Sequence, residues 1–293
     1  MANSIEYAKK FVPIIDAIFK NASVTNAMDA ATRPDFSGVN EVKVLKVSTT
    51  GLGDYSRENG YPKGDVTAAW ETMQLTEERG KEISIDRLDN EETLGLTFGT
   101  VTGDFMRLQV VPELDAYRFA KYASAAGISK AAAAALAKDT ILPAIDEASR
   151  QMDEDEVPLE GRRLYISSDL KPVMNQAVTR QWGSDSGVSN QLSGYNGMPI
   201  VYVPKTRFYT AITLNDGTSN WGYAKAASAQ DINFMMVYPA AILQVVKFSL
   251  PKIFTPDENQ LKDAWKFQFR EYHDAFVYEN KAKGVYLHAK PVS

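Results

Sequence analysis

Hydrophobic and polar positions alternate strongly over residues 261–288. Trp265, Phe267 and Phe269 alternate with Lys266, Gln268 and Arg270, the period of a half-buried strand. A second strand-like run, 275–278, follows the polar corner Tyr272, His273 and Asp274, and a third, 285–288, follows Lys283 and Gly284. The pattern predicts a three-stranded meander with aromatics on one face and charges on the other.

Near the start, residues 4–21 read as a helix: Tyr7, Phe11, Ile14, Ile15 and Ile18 recur at steps of three and four, with Pro13 placed to kink it. Residues 25–40 are polar, broken by Arg33-Pro34 and Ser37-Gly38, and read as a surface arm. Residues 41–48 predict a strand. Residues 66–76 and 81–88 predict a strand pair joined at Glu78, Arg79 and Gly80. The stretch between, 49–65, contains Gly51, Gly53, Gly60 and Gly64. Turn-rich sequence beside long amphipathic strands predicts a projecting hairpin. Tyr55, Tyr61 and Trp70 on such a projection need a surface to lie against. One subunit offers little, so the pattern points to a partner.

Leu94, Phe98, Val101, Phe105 and Leu108 step by four, three, four and three, a helical stripe despite many Thr and Gly residues. Pro112 marks a second segment, with Leu114, Tyr117, Phe119 and Tyr122 running on to Gly127. Together they predict a long helix, or a broken pair, as a rod through the molecule. Residues 129–152 read as another helix on the strength of the alanine run at 131–135. It is expected to stop by Gln151, because Asp153, Glu154, Asp155 and Glu156 oppose the macrodipole there. That acidic run reads as a solvated corner rather than a cation site. From Arg163 the pattern becomes compact: a strand at 164–166, a helix at 169–180 capped by Ser168 or Asp169, and a loop at 182–197 rich in Gly, Ser and Asn. Strands follow at 198–203, 232–237 and 241–248, and Pro251 and Pro256 lead into the meander.

At 293 residues and 44% apolar, the chain can build one large domain or two small ones with a sizeable core. A net charge of −5 argues against a general nucleic-acid coat with a basic face, while leaving room for a local basic patch. With no cysteine, disulfides, thiolate nucleophiles and cysteine-based metal sites are excluded. The absence also fits a reducing cytoplasm. The first ten residues lack the basic-then-apolar order of a signal peptide, and no stretch approaches the roughly 18 apolar residues of a membrane span. The expectation is a soluble protein made in the cytoplasm, with no membrane partner.

Catalytic chemistry is hard to place. Gly51 and Gly53 follow a strand, but Ser56 stands where a third glycine would be, and turn-like sequence follows instead of the helix that phosphate binding needs. No Walker-type lysine motif or Gly-x-Ser-x-Gly elbow is present. His273 and His288 both fall in the predicted meander, with Asp274 beside the first. Isolated histidines at strand ends more often satisfy local hydrogen bonds than act in catalysis. No carboxylate pair stands out as a glycosidase dyad.

Several stretches resemble the HK97-like major capsid proteins of tailed phages. They are Ser84-Ile85-Asp86-Arg87-Leu88-Asp89, Val110-Val111-Pro112-Glu113-Leu114-Asp115-Ala116-Tyr117-Arg118-Phe119, residues 233–240, Lys252-Ile253-Phe254-Thr255-Pro256-Asp257, and Tyr272-His273-Asp274-Ala275-Phe276-Val277-Tyr278-Glu279-Asn280-Lys281. None is a catalytic motif. Their order and the layout of the chain carry the resemblance.

The resemblance implies an α+β, HK97-like fold. Residues 1–40 would form an N-arm, 41–90 an E-loop hairpin lying over the adjacent subunit, and 91–127 the spine helix of a peripheral domain. Residues 128–250 would form the axial domain, and 251–293 the strands completing the peripheral domain. The loop at 182–197 becomes a candidate for the capsomer axis. Tyr55, Tyr61, Trp70, Trp182 and Tyr195 become candidate interface residues. The implied function is a non-enzymatic shell of hexamers and pentamers around phage double-stranded DNA, assembled in the host cytoplasm with a scaffolding protein and a portal. It implies no cofactor, metal or catalytic residue.

Many members begin with a scaffolding segment removed by a protease. Here structured sequence is expected almost from Met1, which implies a separate scaffolding protein or numbering that starts after cleavage. Some members cross-link through a Lys–Asn isopeptide bond, and Lys63 and Asn280 are residues of the right types. A cellular encapsulin-type nanocompartment shares the fold and stays open as an alternative, as does a soluble α/β enzyme with an unrecognised site.

Overall fold

The computed structural model describes residues 23–28, 41–58, 60–92, 96–178 and 193–292, without the side chains of 90–98, 248 and 250. The expected helix at 4–21, most of the arm at 25–40, Leu94, Phe98 and Trp182 with most of its loop lie outside this description. Two compact units are present, residues 31–77 on one hand and 1–30 with 78–293 on the other.

In chain order the elements are strands β1 (Glu41–Thr49), β2 (Val66–Gln74) and β3 (Glu77–Asp86), helices α1 (Arg87–Glu92), α2 (Leu96–Phe105) and α3 (Val111–Ser124), and strand β4 (Ser129–Lys130). Helix α4 (Lys138–Glu154), strand β5 (Arg163–Ser167), helix α5 (Lys171–Ala177) and strands β6 (Gly194–Tyr195), β7 (Met198–Val203), β8 (Ile212–Leu214) and β9 (Tyr223–Lys225) follow. Strands β10 (Ile232–Val237), β11 (Ile242–Phe254), β12 (Ala264–Val277) and β13 (Val285–Ala289) complete the chain. Among the described helices none is long and apolar enough to cross a membrane.

In the smaller unit, β1 and β2 form an antiparallel ribbon running from Glu41↔Gln74 to Thr49↔Val66. The expected pairing of 66–76 with 81–88 is therefore wrong. β2 spends its hydrogen bonds on β1, while β3 joins the three-stranded sheet of order β11-β12-β3. Cross-strand contacts on β3 explain that choice: Gln268 donates to Glu82 at 2.7 Å, Lys266 lies 3.5 Å from Glu82, and Arg270 pairs with Glu78.

α2 runs through a π-helical turn, Met106–Val110, into α3. Backbone dihedrals stay helical across both joins, so the expected long rod is present. Pro112 falls where the π-helical turn passes into α3 and offers no N–H to the carbonyls of that turn. The predicted stripe is only partly core, since Leu108 is exposed.

The six-stranded sheet has the order β4-β13-β10-β5-β7-β6. Its central strands are buried on both faces. Tyr165 and Met235 pack with Phe119 and Tyr122 of α3, whereas Leu164, Ile166, Phe234 and Met236 pack with Ile141, Ile145 and Met152 of α4. Burial on both sides explains why 232–237 is apolar at nearly every position.

The predicted C-terminal meander is corrected. β12 is one strand of 14 residues, and Tyr272, His273 and Asp274 lie within it. What looked like a polar corner is a buried network: Asp274 accepts from the Tyr117 hydroxyl at 2.8 Å and from the Ala275 amide, and the Tyr117 ring meets His273 edge-on. β13 belongs to the other sheet, paired antiparallel to β10. β11 is longer than expected and contains Pro251, tolerated because β11 is an edge strand.

Residues 131–137 are not helical either, despite the alanines. The Ala131 and Ala134 amides donate to Leu287 and Ala289 carbonyls of β13, and Asn233 donates to the Ala134 carbonyl. Tertiary hydrogen bonds there outweigh the few tenths of a kcal/mol per residue that propensity offers. α4 begins only at Lys138 and runs to Glu154, past the expected stop at Gln151. The acidic end is neutralised by the buried Arg162 reaching Asp153 at 2.7 Å, and by Ser129 donating to Asp155. The helix expected at 169–180 is a 3₁₀ turn, Ser168–Leu170, followed by α5 with no side-chain cap. Asp169 accepts from Lys290 instead.

Residues 23–28 meet α3 at Asp115. This fully buried carboxylate accepts from the Ser23 hydroxyl and from the amide and hydroxyl of Thr25, and Arg207 reaches it at 3.1 Å. Arg118 donates to the Thr25 hydroxyl.

Candidate assembly surface

The β1–β2 register decides what the ribbon presents. Residues directly opposite share a face, so Leu45↔Trp70, Val47↔Ala68 and Thr49↔Val66 lie on one side and Val44↔Glu71, Lys46↔Ala69 and Ser48↔Thr67 on the other. On the first side Leu45, Val47, Val66 and Trp70 are 49%, 52%, 70% and 64% exposed. A two-stranded ribbon is marginal in water without a third layer. Covering this face is worth on the order of 5 kcal/mol, with roughly half of each side chain still in water.

Between the strands the chain closes on itself. The Thr50 amide donates to the Asp65 carbonyl, Ser56 and Gly60 exchange backbone bonds, and Gly60 takes φ +79°, a conformation that favours glycine. The rings of Tyr55 and Tyr61 pack edge-to-face at 5.0 Å and both remain exposed. Leu52 beside them is fully exposed.

Of the candidate interface residues, Tyr55, Tyr61 and Trp70 thus fall on one unit. Trp182 lies outside the described residues. Tyr195 is half-buried and held from the other side: its hydroxyl donates to Asp146 of α4 at 2.8 Å, and desolvation with that carboxylate pushes its pKa up to about 12. Leu45, Val47 and Val66 were missed by a reading that looked for aromatics. The odd-numbered alternation of Leu45 and Val47 along β1, with Val66 paired opposite Thr49 on β2, carries the signal once the pairing is known. Lys63 and Asn280 are both exposed, each in its own unit.

The histidines are buried. His288 stacks on Phe234, and its Nδ1 accepts from Asn233 at 3.0 Å, the local hydrogen bonding expected of it. His273 differs: it sits inside β12, and its Nδ1 has no partner among the described residues. Among those residues no group of three or more His, Asp and Glu side chains could hold a metal.

No family model and no curated protein sequence matches the chain. Solved structures do. The capsid structure of cyanophage P-SCSP1u superposes with a TM-score of 0.66 at 14% identity, covering 93% of this chain and 89% of that one. A structure from Gordonia phage Cozz gives 0.62 at 14% identity, covering 92% and 87%. A virus-like particle from Pyrococcus furiosus gives 0.56 at 11% identity, covering 97% and 99%. This is the HK97-like capsid fold. Likeness at this level of identity fixes the path of the chain. The residues that act within the HK97-like frame must be argued from the chain itself.

Proposed function

We propose that the chain is a structural shell subunit that assembles into hexamers and pentamers closing an icosahedral capsid around phage double-stranded DNA. The carrying observation is the open apolar face of Leu45, Val47, Val66 and Trp70, borne on a fold shared with an assembled phage capsid. On this reading residues 1–40 act as the N-arm, 41–90 as the E-loop lying over a neighbouring subunit, and 91–127 as the spine helix. Residues 128–250 act as the axial domain, and 251–293 complete the peripheral domain. Tyr55, Tyr61, Trp70, Trp182 and Tyr195 lie at subunit contacts. A scaffolding protein and a portal take part in assembly in the host cytoplasm, and packaged DNA meets scattered Lys and Arg without sequence preference.

A second reading, a nanocompartment shell without a genome, is supported by the near-complete mutual coverage with the Pyrococcus furiosus virus-like particle. Negative-stain microscopy of the expressed chain tests the shell reading: closed shells, tubes or capsomers are expected, and small discrete particles at every concentration overturn it. Expression with and without a co-expressed scaffolding protein separates the alternatives. A nanocompartment closes alone at one size, whereas a phage capsid protein needs the scaffold for uniform closure.

A further inference from the structure

A cavity of about 100 Å³ lies within the larger unit, bounded by β3, the helical rod, β12 and the β8–β9 turn. Two polar side chains at its inner end are unusual. Glu271 is 2% exposed and its Oε1 has no hydrogen-bond partner; His273 is 3% exposed and its Nδ1 has none either. They stand two residues apart on β12, so they share a face. Buried polar atoms are nearly always satisfied, so an unpaired carboxylate oxygen and an unpaired imidazole nitrogen in one cavity call for a polar partner; the carboxylate oxygen calls for a donor.

The outer end supplies the rest of a receptor. Phe105, Phe269 and the exposed Trp221 line it, and the Lys81 ammonium lies 4.6 Å from the Trp221 ring and 5.7 Å from that of Phe105. The chain already holds one ammonium against these aromatic faces. Arg79 is occupied at the same wall, by Glu113 at 2.6 Å and by the Asn215 carbonyl.

We infer that this cavity binds a primary ammonium on a short alkyl stem, its N–H groups donating to Glu271 and His273 and its stem lying against Phe105 and Phe269. The source is either a free alkylamine or a lysine side chain from a second copy of the chain.

Charge sets when this occurs. Arg118 and Glu113 of α3 act on Glu271, Arg118 and Lys121 of α3, Arg79 of β3 and Asp274 of β12 act on His273, and Lys81 of β3 and Asp216 of the β8–β9 turn line the same cavity. Desolvation dominates and pushes Glu271 up to about 7, while burial holds His273 down at about 3, neutral and able to accept. The ammonium needs an ionised Glu271, so binding strengthens as pH rises through about 7.

The test is thermal unfolding of the purified, unassembled full chain with n-butylammonium chloride, against sodium chloride and tetramethylammonium chloride at equal ionic strength. At about pH 8 the alkylammonium is expected to raise Tm by about 3 °C at several times Kd, with little effect at about pH 5.5 and none from tetramethylammonium, which has no N–H to donate. Glu271→Gln should weaken binding about tenfold or more, and Lys81→Met should tighten it by removing the resident ammonium. Should Glu271→Gln fail to fold, the wild-type pH pair and Lys81→Met decide. No shift at about pH 8, or an equal shift from tetramethylammonium, overturns the proposal. Comparison with assembled particles identifies the source. Binding to both forms indicates a free amine, and binding to the unassembled chain alone indicates a lysine from another copy. The subunit measurement stands whether or not shells form.

Discussion

Tyr117 donates its hydroxyl to Asp274 at 2.8 Å, joining the helical rod to the middle of β12 through a carboxylate with no exposed surface. A buried carboxylate that loses one donor keeps its desolvation cost. Tyr117→Phe is therefore expected to destabilise the chain by about 2 kcal/mol. Urea unfolding checks this: the midpoint should fall with no change in m-value, and an unchanged midpoint would show that Lys121 and the Ala275 amide suffice.

The ribbon gives the opposite kind of mutant. Trp70 is mostly exposed, so Trp70→Ala should change subunit stability by no more than about 0.5 kcal/mol while impairing particle formation. Deleting residues 51–65 should act in the same way. Circular dichroism and sedimentation of both variants check it. Normal particles from both, or unfolding of either, would contradict the role assigned to this face.

Glu271 and His273 should shape the pH dependence in opposite senses. Glu271 is raised from 4.5 to about 7, so the folded chain keeps a proton that the unfolded chain releases, and stability falls as pH rises from 4.5 to about 7. His273 is lowered from 6.5 to about 3. The unfolded chain binds the proton first, and stability rises with pH across that window. The two slopes offset one another between 4.5 and 6.5. Glu271→Gln should remove the loss near neutrality, a gain of about 3 kcal/mol at about pH 8 relative to wild type. Urea midpoints against pH for both proteins measure it, and parallel curves would mean that Glu271 titrates normally.

Particle cohesion should depend little on salt. A subunit of charge −5 repels its copies, so cohesion must come from apolar faces such as that of the ribbon. Standard interfaces bury about 1,600 Å², and screening weakens repulsion together with rim ion pairs. Light scattering of empty particles from low to high salt is expected to stay level. Dissociation at moderately raised salt would show that ion pairs hold the particle.

Local pattern was a good guide wherever burial followed it. The limits of β7 and β10 were legible because both strands are short apolar runs between turn residues. Pro112 marked the start of α3 for the same local reason. Pairing was not legible. Whether residues 66–74 join 41–49 or 77–86 depends on contacts such as Arg270 with Glu78, nearly two hundred positions apart. Residues 272–274 misled because three polar residues in a row look like a corner. Their burial becomes visible only when Tyr117 is placed opposite. The alanine run misled for a related reason, its amides being claimed by a distant strand. The candidate surface was half legible: aromatics drew attention to Trp70, while Leu45 and Val47 gained meaning from its register.

That alanine segment matters for the shell subunit proposed above, which would be made in many copies at once. An exposed strand border recruits any backbone that drifts past, and crowded nascent chains would zip together indiscriminately before their side chains could choose a neighbour. By occupying Leu287 and Ala289 with Ala131 and Ala134, the molecule closes that border from within. At that border an approaching copy meets side chains rather than free backbone, so ordered docking competes there with amorphous precipitation on better terms.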